Sequence, residues 1–151
     1  MLNEETKKRA LKMLERRDLS EKELTDRLIE KGEPQEDAQA VVAWLTRLGV
    51  VDDVRYAGLI VRHYAAKGYG QRRIREELYR RGIPRELWDE ALEQMPQADE
   101  KLDALLQARL RGGQPGRDEL RKAAGALARR GFSHEESTAA IARCVADEPS
   151  E

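Results

Sequence analysis

Apolar residues in this chain recur three and four places apart, and no stretch alternates with a period of two. Val41, Val42, Leu45 and Leu48 form one stripe, Ala57, Ile60, Val61 and Tyr64 a second, and Leu102, Leu105, Leu106 and Leu110 a third. Such spacing describes amphipathic helices, each with one inward face. The pattern also repeats on a longer scale. Leu24–Gly32 (LTDRLIEKG), Ile74–Gly82 (IREELYRRG) and Ala123–Gly131 (AAGALARRG) each end in a basic residue and glycine, with apolar residues four and eight places before the glycine. Leu11, Val61 and Leu110 stand 21 residues before their glycines, and Val42, Leu92 and Ile141 stand ten after. A helix precedes and another follows each segment, so the chain is expected to be all-α, three tandem three-helix repeats over 1–52, 53–96 and 97–151. Three short helices bury little surface alone, so the repeats should lean on one another in an elongated, curved array.

The residues between the stripes support these boundaries. Gly32, Gly82 and Gly131 suit the left-handed residue that closes a helix, and the basic residue before each complements the negative helix end. Ser20 with Glu23, and Ser133 with Glu136, have capping-box spacing. Pro34 and Pro84 suit the first turn of the next helix, and Asp52 with Asp53 the start of one reaching about Lys67. Gly112–Gly116 (GGQPG) reads as a flexible joint and Asp147–Glu151 as a disordered tail.

Composition narrows the class further. Charged residues make up 38% and aromatics 5%, which suits amphipathic helices and excludes most β-sandwiches and barrels. Cys144 is the single cysteine, so no intramolecular disulfide forms, and its place on the last apolar stripe predicts a small buried hydrophobe. No apolar run approaches the ~20 residues needed to cross a bilayer. Met1–Lys12 is charged rather than signal-like, and no long heptad run calls for a coiled-coil dimer. A cytoplasmic monomer without membrane association is therefore expected.

The net charge of −1 conceals strong local imbalance. Arg55–Arg85 carries nine Lys or Arg against Glu76 and Glu77, a local +7; Glu86–Leu106 sums to −6 and Gln107–Gly131 to +5. On the helix expected over 70–81, Ile74 and Leu78 define the buried face. Arg72, Arg75 and Tyr79 then fall on one flank, with Arg73, Arg80 and Arg81 on the other, all outside the core. The segment reads either as an electropositive surface for an acidic protein groove or phosphates, or as a solvated face neutralised by Glu76, Glu77 and the acids after Glu86. A +7 excess is more than solubility asks, which favours the first reading and selects Arg62, Lys67, Tyr69, Arg72, Arg73, Arg75, Tyr79, Arg80 and Arg81 as partner-binding candidates. Tyr64 has core spacing; Tyr69 and Tyr79 fit either packing or stacking on bases. Trp44 and Trp88 follow apolar stripes and read as packing residues.

Catalytic chemistry finds little support. His63 and His134 lack further soft ligands for zinc, and Gly68-Tyr69-Gly70 lacks the lysine and hydroxyl of a phosphate loop. Ser20 and Ser133 are occupied as caps. A non-enzymatic protein without metal or cofactor is expected.

Several of these stretches, taken in order, are similar to the RecX family. LERRDLSEKELTDRLIEKG (Leu14–Gly32), VVAWLTRLGVVDDVRYA (Val41–Ala57) and YGQRRIREELYRRGIP (Tyr69–Pro84) contain the family's serine followed by E-L, L and K-G, its L-x-x-L-G with two aspartates and an aromatic-alanine pair, and its G-x-x-x-I, E-L and R-G-I. The likeness is strong over about residues 10–95. It departs at Glu33, where an aromatic residue commonly follows the first lysine-glycine, and in the third repeat, where only the register persists. The resemblance implies a regulator that binds the RecA filament on single-stranded DNA and restrains its recombinase, ATPase and co-protease activities in DNA repair and the SOS response. An alternative is a DNA-binding helix-turn-helix module, but such modules are basic overall. A net −1 chain favours a mixed-charge protein partner, with single-stranded DNA bound weakly or through the filament.

Overall fold

The structure, a computed structural model, describes residues 1–95, 99–110 and 115–146. All regular structure among them is helical. The elements are α1 (Glu4–Arg16), α2 (Glu21–Glu30), α3 (Gln35–Arg47), α4 (Asp53–Ala66), α5 (Gln71–Arg80), a 3-10 turn (Arg85–Leu87) leading into α6 (Trp88–Leu92), α7 (Asp99–Arg109), α8 (Arg117–Arg129) and α9 (His134–Ala146). They follow the expected order of three helices per repeat, with the third helix of the middle repeat reduced to little more than one turn. The proposed joint is outside the described residues from Arg111 to Gln114, and so is the proposed tail.

The second helix of each repeat ends identically. Glu33 N–H donates to Leu28 O, Ile83 N–H to Leu78 O and Phe132 N–H to Leu127 O, at 3.0, 3.0 and 3.1 Å. Each bond spans a glycine at positive φ and closes the last turn as a Schellman motif. That motif favours an apolar residue after the glycine, and Ile83 and Phe132 are buried there. Glu33 reaches the same site with a carboxylate, which accepts from Thr6 Oγ1 at 2.9 Å and pairs with Arg9 at 3.2 Å. The apolar residues four and eight before each glycine are all buried, Leu24 and Leu28, Ile74 and Leu78, Ala123 and Leu127. Each large one contributes roughly 1.5–3 kcal/mol.

The caps follow the predicted spacing with two adjustments. Both capping boxes close reciprocally, Ser20 with Glu23 and Ser133 with Glu136, through bonds of 2.9–3.0 Å. Pro34 and Pro84 stand one residue outside their helices, as N-caps rather than in the first turn. Asp52 caps α4 through Arg55 N–H at 3.1 Å, but Asp53 turns away and accepts from Glu21 N–H at the start of α2. Two stripe positions face outward: Leu11 is 42% exposed, with Ala10 and Thr6 buried in its stead, and Leu48, the C-cap of α3, is 59% exposed.

The chain divides into two compact units that cut across the repeats. The first joins Met1–Ile60 to Glu77–Glu93, and the second joins Val61–Glu76 to the described residues from Gln94 onward. In the first, α1, α2 and α3 enclose Leu24, Leu28, Val41 and Leu45, with Trp44 packed at the margin. In the second, α7, α8 and α9 enclose Leu102, Leu106, Leu127 and Phe132, with Cys144 half-buried against them rather than fully buried. No helix among the described residues is long and apolar enough to cross a membrane.

Candidate functional site

In the second unit, the start of α5 has no side chain to cap it, and the end of α8 does so instead. Gly70 N–H donates to Arg130 O at 2.7 Å and Arg72 N–H to Gly131 O at 3.1 Å. Two of the donors a helix start leaves unsatisfied thus find the carbonyls another helix end leaves over. Such an approach requires glycine on both sides. A Cβ on Gly70 would lie 2.6 Å from the Gly131 carbonyl, and one on Gly131, at φ +98, would lie 2.5 Å from Arg73 N.

This junction gathers cations around Tyr69. The guanidinium groups of Arg73 and Arg130 each lie 5.6 Å from the centre of its ring. Arg130 also donates to Lys67 O at 3.1 Å, and Arg72 donates to Ala128 O. Lys67 sits 5.9 Å over Tyr64, whose ring is tilted against Tyr69 at 5.8 Å. Lys67, Arg72, Arg73 and Arg130 therefore form one group of four cations, with Glu76, 3.6 Å from Arg73, as the acid paired with it. Cation–π contacts of this kind contribute about 0.5–1 kcal/mol each at exposed sites. Their larger effect is to hold guanidinium forks still, so that less side-chain entropy is lost when a carboxylate or phosphate arrives. Tyr69, left open between packing and stacking, is half-buried and serves as the mount for two arginines.

Placement of the other candidates is uneven. Arg62 is exposed and donates to Gln94, while Arg75 is half-buried and Arg72 exposed. In the first unit, Tyr79 is 77% exposed and offers the open aromatic face of α5. Arg80 is exposed and lies 3.5 Å from Glu77. Arg81 corrects the expectation that every α5 arginine stands clear of the core. Its side chain is 28% exposed, pairs with Glu77 at 2.9 Å and donates to Tyr56 OH at 2.7 Å. The physical reason is Glu77, a carboxylate buried to 2% exposure that needs a cation beside it. Burial pulls the Arg81 guanidinium down, but its bonds to Tyr56 and Glu77 outweigh that and hold it above its ordinary value. Tyr56 is pushed up by burial, against the bonds from Arg81 and Arg17. The carbonyl of Arg81 in turn accepts from the Ser20 hydroxyl at the start of α2.

Sequence reasoning missed Arg130, although the doublet before Gly131 was visible as a helix end. Only the close approach of Gly131 to Gly70 brings it to Tyr69. Trp88, expected to pack, is buried with its indole N–H on Ile83 O at 2.9 Å. No group of three His, Cys, Asp or Glu among the described residues is arranged to hold a metal ion.

Residues 7–45 match the family described as RecX, first three-helix domain, and residues 52–92 the one described as RecX, second three-helix domain. Regulatory protein RecX of Stenotrophomonas maltophilia (strain R551-3) is 43% identical over 127 residues, spanning 82% of this chain and 77% of that one. The protein of the same description from Xanthomonas axonopodis pv. citri (strain 306) is 42% identical over 127 residues, with 82% and 78% covered. The crystal structure of RecX from Lactobacillus salivarius superposes with a TM-score of 0.87 at 21% identity, over 94% of this chain and 96% of that one. A second crystal structure, of regulatory protein RecX, gives a TM-score of 0.80 at 25% identity, over 91% and 72%.

Proposed function

The chain belongs to the RecX family of regulatory proteins, and on that premise we propose that it binds the RecA filament on single-stranded DNA and restrains its activity. The observation that carries this reading is the cation group around Tyr69, fixed in place by the meeting of α5 and α8. Guanidinium forks bind carboxylates and phosphates alike, and a protein filament on DNA carries both. Lys67, Arg72, Arg73 and Arg130 supply the charge in the second unit, and Tyr79 and Arg80 are separate candidate contacts in the first. Tyrosine and arginine are the residue types that dominate binding energy at protein interfaces. Arg81, held by Glu77 and Tyr56 within the first unit, is left out of the proposed contacts. The role is regulatory: the chain acts by occupying the filament, within the cytoplasm, in the control of DNA repair and the SOS response.

The test is RecA-dependent ATP hydrolysis on single-stranded DNA, with the protein added below one copy per recombinase subunit. A graded fall in rate supports the reading. An unchanged rate at every ratio overturns it.

A further inference from the structure

A second basic surface lies in the first unit, lined by residues that the filament reading does not use. Between α1 and α2 runs an open groove of about 790 Å³, whose walls carry six Lys or Arg side chains against one acid, Glu30. Two of the six are engaged: Arg9 with Glu33 at 3.2 Å and Arg17 with Glu23 at 3.2 Å. The other four, Lys12, Arg16, Arg27 and Lys31, are exposed and form no ion pair with any described residue. They are placed in pairs four residues apart, Lys12 with Arg16 on α1 and Arg27 of α2 with Lys31, its C-cap. Within α1 the Lys12–Arg16 pair destabilises the helix by about 0.2–0.5 kcal/mol, whereas Lys31 at the end of α2 is favoured there by the helix dipole. Four cations without an acidic partner thus line one groove, and an incoming polyanion would relieve their mutual repulsion.

We propose that this groove holds the phosphodiester backbone of one strand of DNA, with Lys12, Arg16, Arg27 and Lys31 on its phosphates and the bases turned outward. The lining favours a nucleic-acid strand over an acidic polypeptide. Protein segments bind through apolar or aromatic anchors seated in pockets. Here the one apolar side chain is Met13, and no aromatic ring lines the groove. A phosphate backbone needs only a row of cations, and gains no sequence preference from it. Width favours a single strand over a duplex, because packed helices lie about 8–10 Å apart axis to axis and the groove between them is correspondingly narrow. The bases then remain available for pairing.

The experiment uses the whole 151-residue chain without recombinase and a dye-labelled single-stranded oligodeoxynucleotide of mixed sequence, read by fluorescence anisotropy across a salt series. Four phosphate contacts predict a slope of about −3 for log affinity against log salt. The set Lys12→Glu, Arg16→Glu, Arg27→Glu and Lys31→Glu should lower affinity at least about tenfold and flatten that slope by about 3. The corresponding Gln set, with no charge reversal, guards against misfolding and should flatten the slope with the helical circular dichroism unchanged. Loss of oligonucleotide binding with the effect on RecA hydrolysis retained supports the proposal and separates it from the filament reading. Three results overturn it: an unchanged slope in the Gln set, a duplex that competes as well as the single strand, or loss of the effect on RecA with oligonucleotide binding intact. The last would assign the groove to an acidic protein segment.

Discussion

Replacing Asp53 with asparagine should make this protein more stable near neutral pH and leave it nearly unchanged at pH 4. Asp53 is 6% exposed and accepts from Glu21 N–H at 3.0 Å. Burial, joined by the neighbouring carboxylates of Glu21 and Asp52 and opposed by that backbone bond, raises its pKa from the ordinary 3.8 to about 6. The folded chain therefore holds this proton to higher pH than the unfolded chain does. Stability associated with the protonated group is fully present below about pH 4, declines as pH rises toward 6, and is absent above it. A shift of about two units at 1.36 kcal/mol each sets an upper bound of roughly 3 kcal/mol, which solvent screening of the carboxylate lowers. Asparagine retains an oxygen for Glu21 N–H and carries no charge, so it avoids the loss. Urea denaturation of both proteins between pH 4 and 8 gives the difference directly. The variant should gain up to about 3 kcal/mol by pH 7, with the gain appearing between pH 4 and 6. A difference that does not vary with pH, or a variant weaker than wild type at pH 7, would refute the account of Asp53 as a buried acid between two helix starts.

Three further substitutions probe other parts of the structure. Gly70→Ala places a methyl group 2.6 Å from the Gly131 backbone and should cost about 1–3 kcal/mol, read as a lower midpoint in thermal circular dichroism; an unshifted midpoint would mean that α5 and α8 do not meet as described. Glu77→Ala removes the carboxylate that holds Arg81 and should cost about 3 kcal/mol or more in urea, whereas Glu77→Gln should cost less because it still accepts a hydrogen bond. Tyr79→Ala should leave the urea midpoint unchanged, since the ring is 77% exposed, yet weaken inhibition of RecA hydrolysis severalfold; equal inhibition would remove Tyr79 from the contact.

Local signals were readable in the sequence because their causes are local. Ser20 and Glu23 are three residues apart and bond each other, and the bonds spanning Gly32, Gly82 and Gly131 close within single turns. Whatever depends on two distant segments meeting was hidden. Arg130 reaches Tyr69 only because two glycines let α8 touch the start of α5, and Asp53 faces α2 only because α4 packs there. Glu77 sits on α5 between surface arginines, and nothing in its spacing announces a buried carboxylate. The α1–α2 groove was missed for an electrostatic reason. From Arg9 to Lys31 seven bases stand among six acids, so a running sum shows only +1, while folding sorts bases to one side of the helix pair. Leu11 and Leu48 fit the periodic stripe but lie at its margins, where a neighbouring residue or the helix end decides burial.

The central claim is that the cation group around Tyr69 meets the recombinase filament. Co-sedimentation with RecA filaments assembled on single-stranded DNA measures that contact without reference to catalysis. Wild-type protein should pellet with the filament, and the Arg72→Glu, Arg73→Glu double variant, with unchanged helical content, should stay in the supernatant. A wild-type protein that never pellets, or a double variant that pellets equally, would contradict it.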